Sequence, residues 1–194
     1  MHTKRKNTMF IKNLVTLASL LVLETAVNAQ DRYFTKTGTI EFYSKATMED
    51  IEAKNKTVTA VLDSKTGAMQ FSVQMKGFEF EKALMQEHFN ENYVESGKFP
   101  KAEFKGALTN NAAVNYTKAG TYPVTVKGKL TLHGVTKDVE APGSIKVDGG
   151  KLEGKSTFTI QLSDYKISIP SVVKEKISNS IKIIVDTRLE PLKG

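Results

Sequence analysis

From Gly38 onward, apolar side chains return at every second position in one segment after another. A period of two is the repeat of an extended strand with one apolar and one wet face. Ile40 and Phe42 share a face, as do Val58, Ala60 and Leu62, while Met69, Phe71, Val73 and Met75 alternate with Gln70, Ser72 and Gln74. Phe104, Gly106 and Leu108 follow, then Val124, Val126, Gly128, Leu130 and Leu132, then Val135, Val139 and Ala141. Leu152, Ser156, Phe158, Ile160 and Leu162, and finally Ile181, Ile183 and Val185, complete the series. The connections Asp63-Ser64-Lys65-Thr66-Gly67, Asn110-Asn111 and Asp148-Gly149-Gly150 are rich in residues that accept the positive φ of tight antiparallel turns. About eight strands without helical crossovers predict one all-β domain, an antiparallel sheet closed into a barrel or folded into a sandwich.

One stretch breaks the rhythm. In FEFEKALMQEHFNENYVES, Phe80, Leu84 and His88 fall at i, i+4 and i+8, Met85 and Phe89 follow on the adjacent rail, and Glu81, Lys82, Gln86 and Glu87 are polar. This spacing predicts a short amphipathic helix, and the surface open to its apolar face is the rim of the barrel. His88 then looks into the mouth, where a buried imidazole needs either an internal hydrogen-bond partner or the polar end of a ligand.

The N-terminus reads as an export signal. Lys4, Arg5, Lys6 and Lys12 precede the apolar run Leu14 to Leu23, which ends at the small-residue site Val27-Asn28-Ala29. Residues 1–29 are thus expected to be a secretory leader and residues 30–194 the mature β-barrel domain, periplasmic or secreted, with no stable membrane span in any later segment. The leader also inflates the charge. Without it, 24 Lys and Arg face 20 Asp and Glu, a formal +4 instead of +7. The remaining lysines alternate with apolar residues, as on the solvated face of a sheet, and no aromatic ladder accompanies them, so no nucleic-acid partner is expected. The chain has no cysteine, so a mature domain of this size must rely on its core.

Chemistry-bearing motifs are sparse. Only His88 and His133 lie beyond the leader, and without thiols the ordinary zinc site cannot be assembled, so no metal and no cofactor is expected. There is no G-x-S-x-G elbow and no phosphate-cradling glycine loop. The reading is non-enzymatic, with no catalytic residue. Asn55-Lys56-Thr57 and Asn115-Tyr116-Thr117 match the N-glycosylation acceptor pattern. In GKLTLHGVTKDVEAPG, His133-Gly134 interrupts the alternation, which reads as a corner with His133 at the surface or capping it.

That stretch, together with ESGKFPKAEFKG (Glu95 to Gly106) and LSDYKISIP (Leu162 to Pro170), resembles the YceI-like family of exported lipid-binding proteins. The resemblance runs from about Gly38 to Leu189 and implies an eight-stranded, lipocalin-like antiparallel barrel with a short helix over one end. It also implies a lumen that holds an amphiphilic lipid such as an isoprenoid, a quinone or a fatty acid. Where many members carry Arg-Asp ahead of the helix histidine, this chain has Met85-Gln86-Glu87-His88-Phe89, so a less polar head group becomes as plausible as the family's usual one.

The lumen expected from the alternation is lined by Phe42, Met69, Phe71, Val73, Phe104, Leu130, Leu132, Phe158, Ile160 and Ile183, with the ligand's polar end near His88. A second reading has the same bulky residues filling the lumen, leaving a packed barrel that serves as a protein-interaction or stress-related structural module. A homodimer is compatible with either.

Overall fold

The computed structural model describes residues 31–192, so the leader expected at residues 1–29 lies outside the described residues. Nine strands form one antiparallel sheet: β1 (Arg32–Lys45), β2 (Asp50–Asp63), β3 (Ala68–Gln74), the two-residue β4 (Glu79–Phe80), β5 (Lys101–Leu108), β6 (Gly120–Leu132), β7 (Val135–Asp148), β8 (Lys151–Gln161) and β9 (Ser180–Pro191). The order is β1-β9-β8-β7-β6-β5-β3-β2-β4, and β1 also pairs with β2 from Arg32↔Asp63 to Lys45↔Asp50. That last pairing closes the eight long strands into a barrel, and β4 adds only a short pair on β2 through Ala53↔Phe80 and Lys54↔Glu79. The fold is the all-β barrel that the alternation and the resemblance anticipate. Closure leaves the sheet without long free edges except between β7 and β8, whose ladder covers only part of either strand.

One end of the barrel is shut. Tyr33, Leu62, Met69, Leu108, Val124, Ile145, Leu152 and Leu189 are buried there as one cluster. The β5–β6 connection folds across it. Residues 109–119 form a loop longer than the Asn110-Asn111 turn expected from the sequence. It buries Val114 and stacks Tyr116 on Tyr33 with ring centroids 6.3 Å apart. Asn111 holds the loop, its amide donating to the Ser64 carbonyl (2.9 Å) and its side-chain oxygen accepting from the Tyr116 hydroxyl (2.6 Å). Asn55, in the first of the two glycosylation-type triplets, is fully buried and donates to the Gln74 carbonyl at 2.8 Å, so it serves the fold and is closed to sugar. Asn115, in the second, stays exposed.

The other end carries the helix. α1 is only Ala83–His88, continued by a π-helical turn over Phe89–Tyr93. Phe80 belongs to β4 and not to the helix; Leu84, 62% exposed, and His88 border the cavity only at its outer edge, and the more buried apolar helix side chains are Met85 and Phe89. The inward ring is Phe89. It lies at the barrel mouth, where it meets Phe42, Phe78 and Phe80 at centroid distances of 5.5, 5.6 and 5.1 Å.

His133-Gly134 is a two-residue hairpin turn between Leu132 and Val135, with φ of 50° and 72°. Asn and Gly usually occupy such positions, because a Cβ at positive φ is strained. The imidazole is anchored where a solvated corner was expected. It is 11% exposed, Nε2 lies 2.6 Å from a Glu95 carboxylate oxygen, and Nδ1 lies 3.0 Å from the Tyr165 carbonyl. Glu95, His133 and Lys166 are the three non-glycine residues with positive φ among the described residues, and these contacts gather all three segments. The junction also closes a gap. The β7–β8 ladder runs only from Gly143↔Ser156 to Asp148↔Lys151, and beyond it the residues after β8 pack on β7 and bury Tyr165 and Ile167. Burial first, and the Asp164 charge second, push the Tyr165 hydroxyl up to about 12.

A pair of glycines sets the room inside. Gly106 and Gly128 face each other across β5 and β6, and the Phe104 ring lies over both. A Cβ on Gly106 would stand 2.4 Å from the Lys127 carbonyl oxygen and 2.6 Å from the Phe104 ring. The bare backbone therefore lets Phe104 lie along the wall instead of across the lumen.

Gly106→Ala is expected to destabilise the barrel by about 1–3 kcal/mol through overpacking, or roughly 2–4 °C of melting temperature for each kcal/mol. His133→Ala should cost a similar amount, roughly 1–3 kcal/mol, from its lost hydrogen-bond partners, since the Cβ at positive φ is common to both residues. His133→Gly, which also removes the Cβ strained at positive φ, should recover part of the loss in urea melts; wild-type stability of His133→Ala would contradict the anchored-turn account.

Candidate functional site: an apolar barrel lumen

Alternation turns one side chain of every two inward, and in this barrel the inward set does not meet in the middle. A cavity of about 500 Å³ remains. All ten residues expected to line the lumen do so, and His88 stands at its edge. Met69, Val73, Leu132 and Ile160 are buried in the surrounding packing. Phe42, Phe71, Phe104, Leu130, Phe158 and Ile183 are only half-buried although they point into the barrel, because unfilled space lies in front of them. The packed-lumen arrangement is therefore not the one adopted. Phe71 and Phe104 meet edge-on at 6.2 Å and form one aromatic wall.

Three of the hydroxyls around the lumen are committed to the protein itself. Ser156 donates to the Pro142 carbonyl at 2.7 Å, the buried Thr187 hydroxyl donates to the Gly154 carbonyl at 3.2 Å, and Ser44 accepts the Ser178 amide at 2.9 Å. The deep lumen thus presents hydrocarbon, and a ligand's polar end would have to stay at the mouth.

Three segments build that mouth: the β1–β2 turn at residues 46–49, the helix, and the β8–β9 connection at residues 162–179. Lys82 reaches Glu49 at 3.1 Å, tying helix to turn, and the Met48 amide donates to the Glu175 carbonyl at 2.8 Å, tying turn to connection. Polar groups facing the opening are Glu49, Lys82, His88 and Lys176. His88 is exposed and makes no side-chain hydrogen bond among the described residues, so it is not a satisfied core histidine. Tyr93 lies just inside, and burial raises its hydroxyl above the ordinary tyrosine range, keeping it a neutral donor.

Several lining residues escaped the sequence reading. Phe78 completes, with Phe80 and Phe89 of the expected helix face, the aromatic cluster over the opening, and Ile167, Val173 and Ile177 reach it from the β8–β9 connection. The pair Phe78/Phe80 has the period-two signature, but it sits beside a helical pattern that claims Phe80. In Ile167–Ile177 the proline at 170 hides any repeat.

Comparison with known proteins agrees with this architecture. A family model described as the YceI-like domain matches residues 26–189. No curated protein matches in sequence. Among solved structures, the chain is similar to a polyisoprenoid-binding domain from Saccharophagus degradans implicated in plant cell wall breakdown, at 13% identity and a TM-score of 0.73. That match covers 83% of this chain and 98% of the other. It is also similar to Burkholderia cenocepacia BcnA, at 17% identity and a TM-score of 0.65, covering 78% of this chain and 95% of BcnA. Similarity to a Campylobacter jejuni YCEI protein is lower, with 20% identity, a TM-score of 0.53 and coverage of 69% and 81%. At these identities the structures speak to the fold, whereas the family model spans most of the sequence, and the chain belongs to the YceI-like domain family.

Proposed function

We propose that this protein is an exported, non-catalytic carrier that holds the tail of a long-chain amphiphile, of polyisoprenoid, quinone or fatty-acid type, in the barrel lumen. The observation that carries the reading is the apolar space inside the barrel, walled by half-buried Phe42, Phe71, Phe104, Leu130, Phe158 and Ile183. A chain that removes about 300 Å² of apolar surface from water gains roughly 7 kcal/mol before the cost of ordering it. Met69 and Met75 suit such a tail, since the unbranched thioether repacks around flexible hydrocarbon. The Saccharophagus degradans domain, described as polyisoprenoid-binding, lends support from a related fold.

The head-group end of this reading is the mouth. His88 is uncommitted, Lys82 and Lys176 are cationic, and Tyr93 is a donor, so a carboxylate or another small polar head can be met there without burying a charge. The leader-like N-terminus favours a periplasmic or secreted site of action. The absence of a nucleophile or acid–base motif in the sequence favours transport over turnover.

Phe71→Asp places a carboxylate in the lumen wall. It is expected to weaken binding of a fluorescent polyene fatty acid or prenyl probe at least tenfold while circular dichroism still reports a folded barrel. Unchanged affinity in a folded variant would refute the lumen as the binding site. Phe89→Ala, which removes the ring over the opening, should speed probe exchange several-fold with a smaller effect on affinity.

A further inference from the structure

The mouth is apolar on its outside as well as its inside. The large hydrophobic residues left exposed among the described residues are Met48 (68%), Leu84 (62%), Val172 (87%) and Leu192 (42%). Single exposed apolar residues are ordinary, but the first three stand on the three separate segments that frame the opening: the β1–β2 turn, α1 and the β8–β9 connection. Those segments are fastened together by the Met48 amide on the Glu175 carbonyl and by the Lys82–Glu49 pair. Val173, beside Val172, and Leu84 also line the cavity, so an apolar path continues from the outer tips into the lumen.

We infer that this rim docks on the surface of a lipid bilayer with zwitterionic head groups, placing the cavity mouth against the phase from which a water-insoluble amphiphile is drawn. The inference rests on the carrier reading for its purpose and on the rim for its chemistry. Charge selects the occupant. Lys45, Lys82, Lys174 and Lys176 are interleaved with Glu49, Asp50, Glu87 and Glu175 around the opening. Mixed signs match phosphocholine and phosphoethanolamine heads, which carry both charges, and give no single-signed field for a nucleic acid or a highly charged protein. Shallow insertion of a few apolar tips between head groups is the interaction that such a rim can make.

Met48→Asp/Val172→Asp tests this, because neither side chain lines the cavity and both are solvated, so folding and the lumen are left intact. Vesicles of phosphatidylcholine and phosphatidylethanolamine carrying a fluorescent fatty acid serve as donor. The wild-type protein should float with the vesicles. The double variant should float at least fivefold less and take probe from vesicles at least tenfold more slowly, yet bind probe added directly to buffer with wild-type affinity. Equal transfer rates for the two proteins would overturn the docking inference. So would a wild-type protein that never floats and whose Met48 and Val172 crosslink instead to a protein partner. Failure of both proteins to bind probe in buffer, with wild-type flotation intact, would refute the carrier reading and leave the docking surface standing.

Discussion

The pairing of β1 with both β9 and β2 is the interaction on which the rest of this molecule depends. Along β1, Phe42 stands opposite Ala53 on one side and Ile183 on the other, so one strand completes a ring of backbone hydrogen bonds. Remove that seam and the sheet would have two long edges and an apolar face open to water. With it, the inward faces of eight long strands surround a space close to the size at which a barrel either fills with its own side chains or holds one small ligand. The Gly106–Gly128 pair tips this chain toward the second outcome, because it lets Phe104 lie against the wall.

The two ends are then treated differently. At the closed end, Tyr116 on Tyr33 and the Asn111 bonds fix a loop across the opening, so an apolar chain has no exit there. At the other end, the cover is a ring cluster centred on Phe89, carried by a helix too short to be stable alone and lying beside exposed Leu84. Ring contacts of this kind rearrange by rotamer changes without breaking the ladder. Next to this cover, the anchored turn at His133 joins the segment after the helix to the segment that closes the β7–β8 gap, and so ties the rim to the wall.

Much of this architecture is written in the alternation itself. Residues such as Phe71, Phe158 and Ile183 declare their inward direction locally, since a strand has only two faces, and the barrel lining could be assigned before any pairing was known. The helix was legible as a helix, with Met85 and Phe89 on its apolar side, but Phe80 belongs to the two-residue β4, which a 3.6-residue period cannot express. The role of His133 was invisible for another reason. Its partners lie 38 and 32 residues away in sequence, and neither a glutamate nor a backbone carbonyl leaves a local mark. Whether inward residues meet or leave a cavity is also a matter of volume, which depends on how opposite walls are spaced and not on any one segment.

The measurement that bears most directly on this account is native mass spectrometry of the protein purified without detergent, paired with analysis of its organic extract. The account expects a mass increment that disappears on denaturation and matches a single amphiphile in the extract at about one per barrel. A bare polypeptide mass, together with failure to acquire any member of a prenyl and fatty-acid panel, would contradict the claim that the lumen is a binding site.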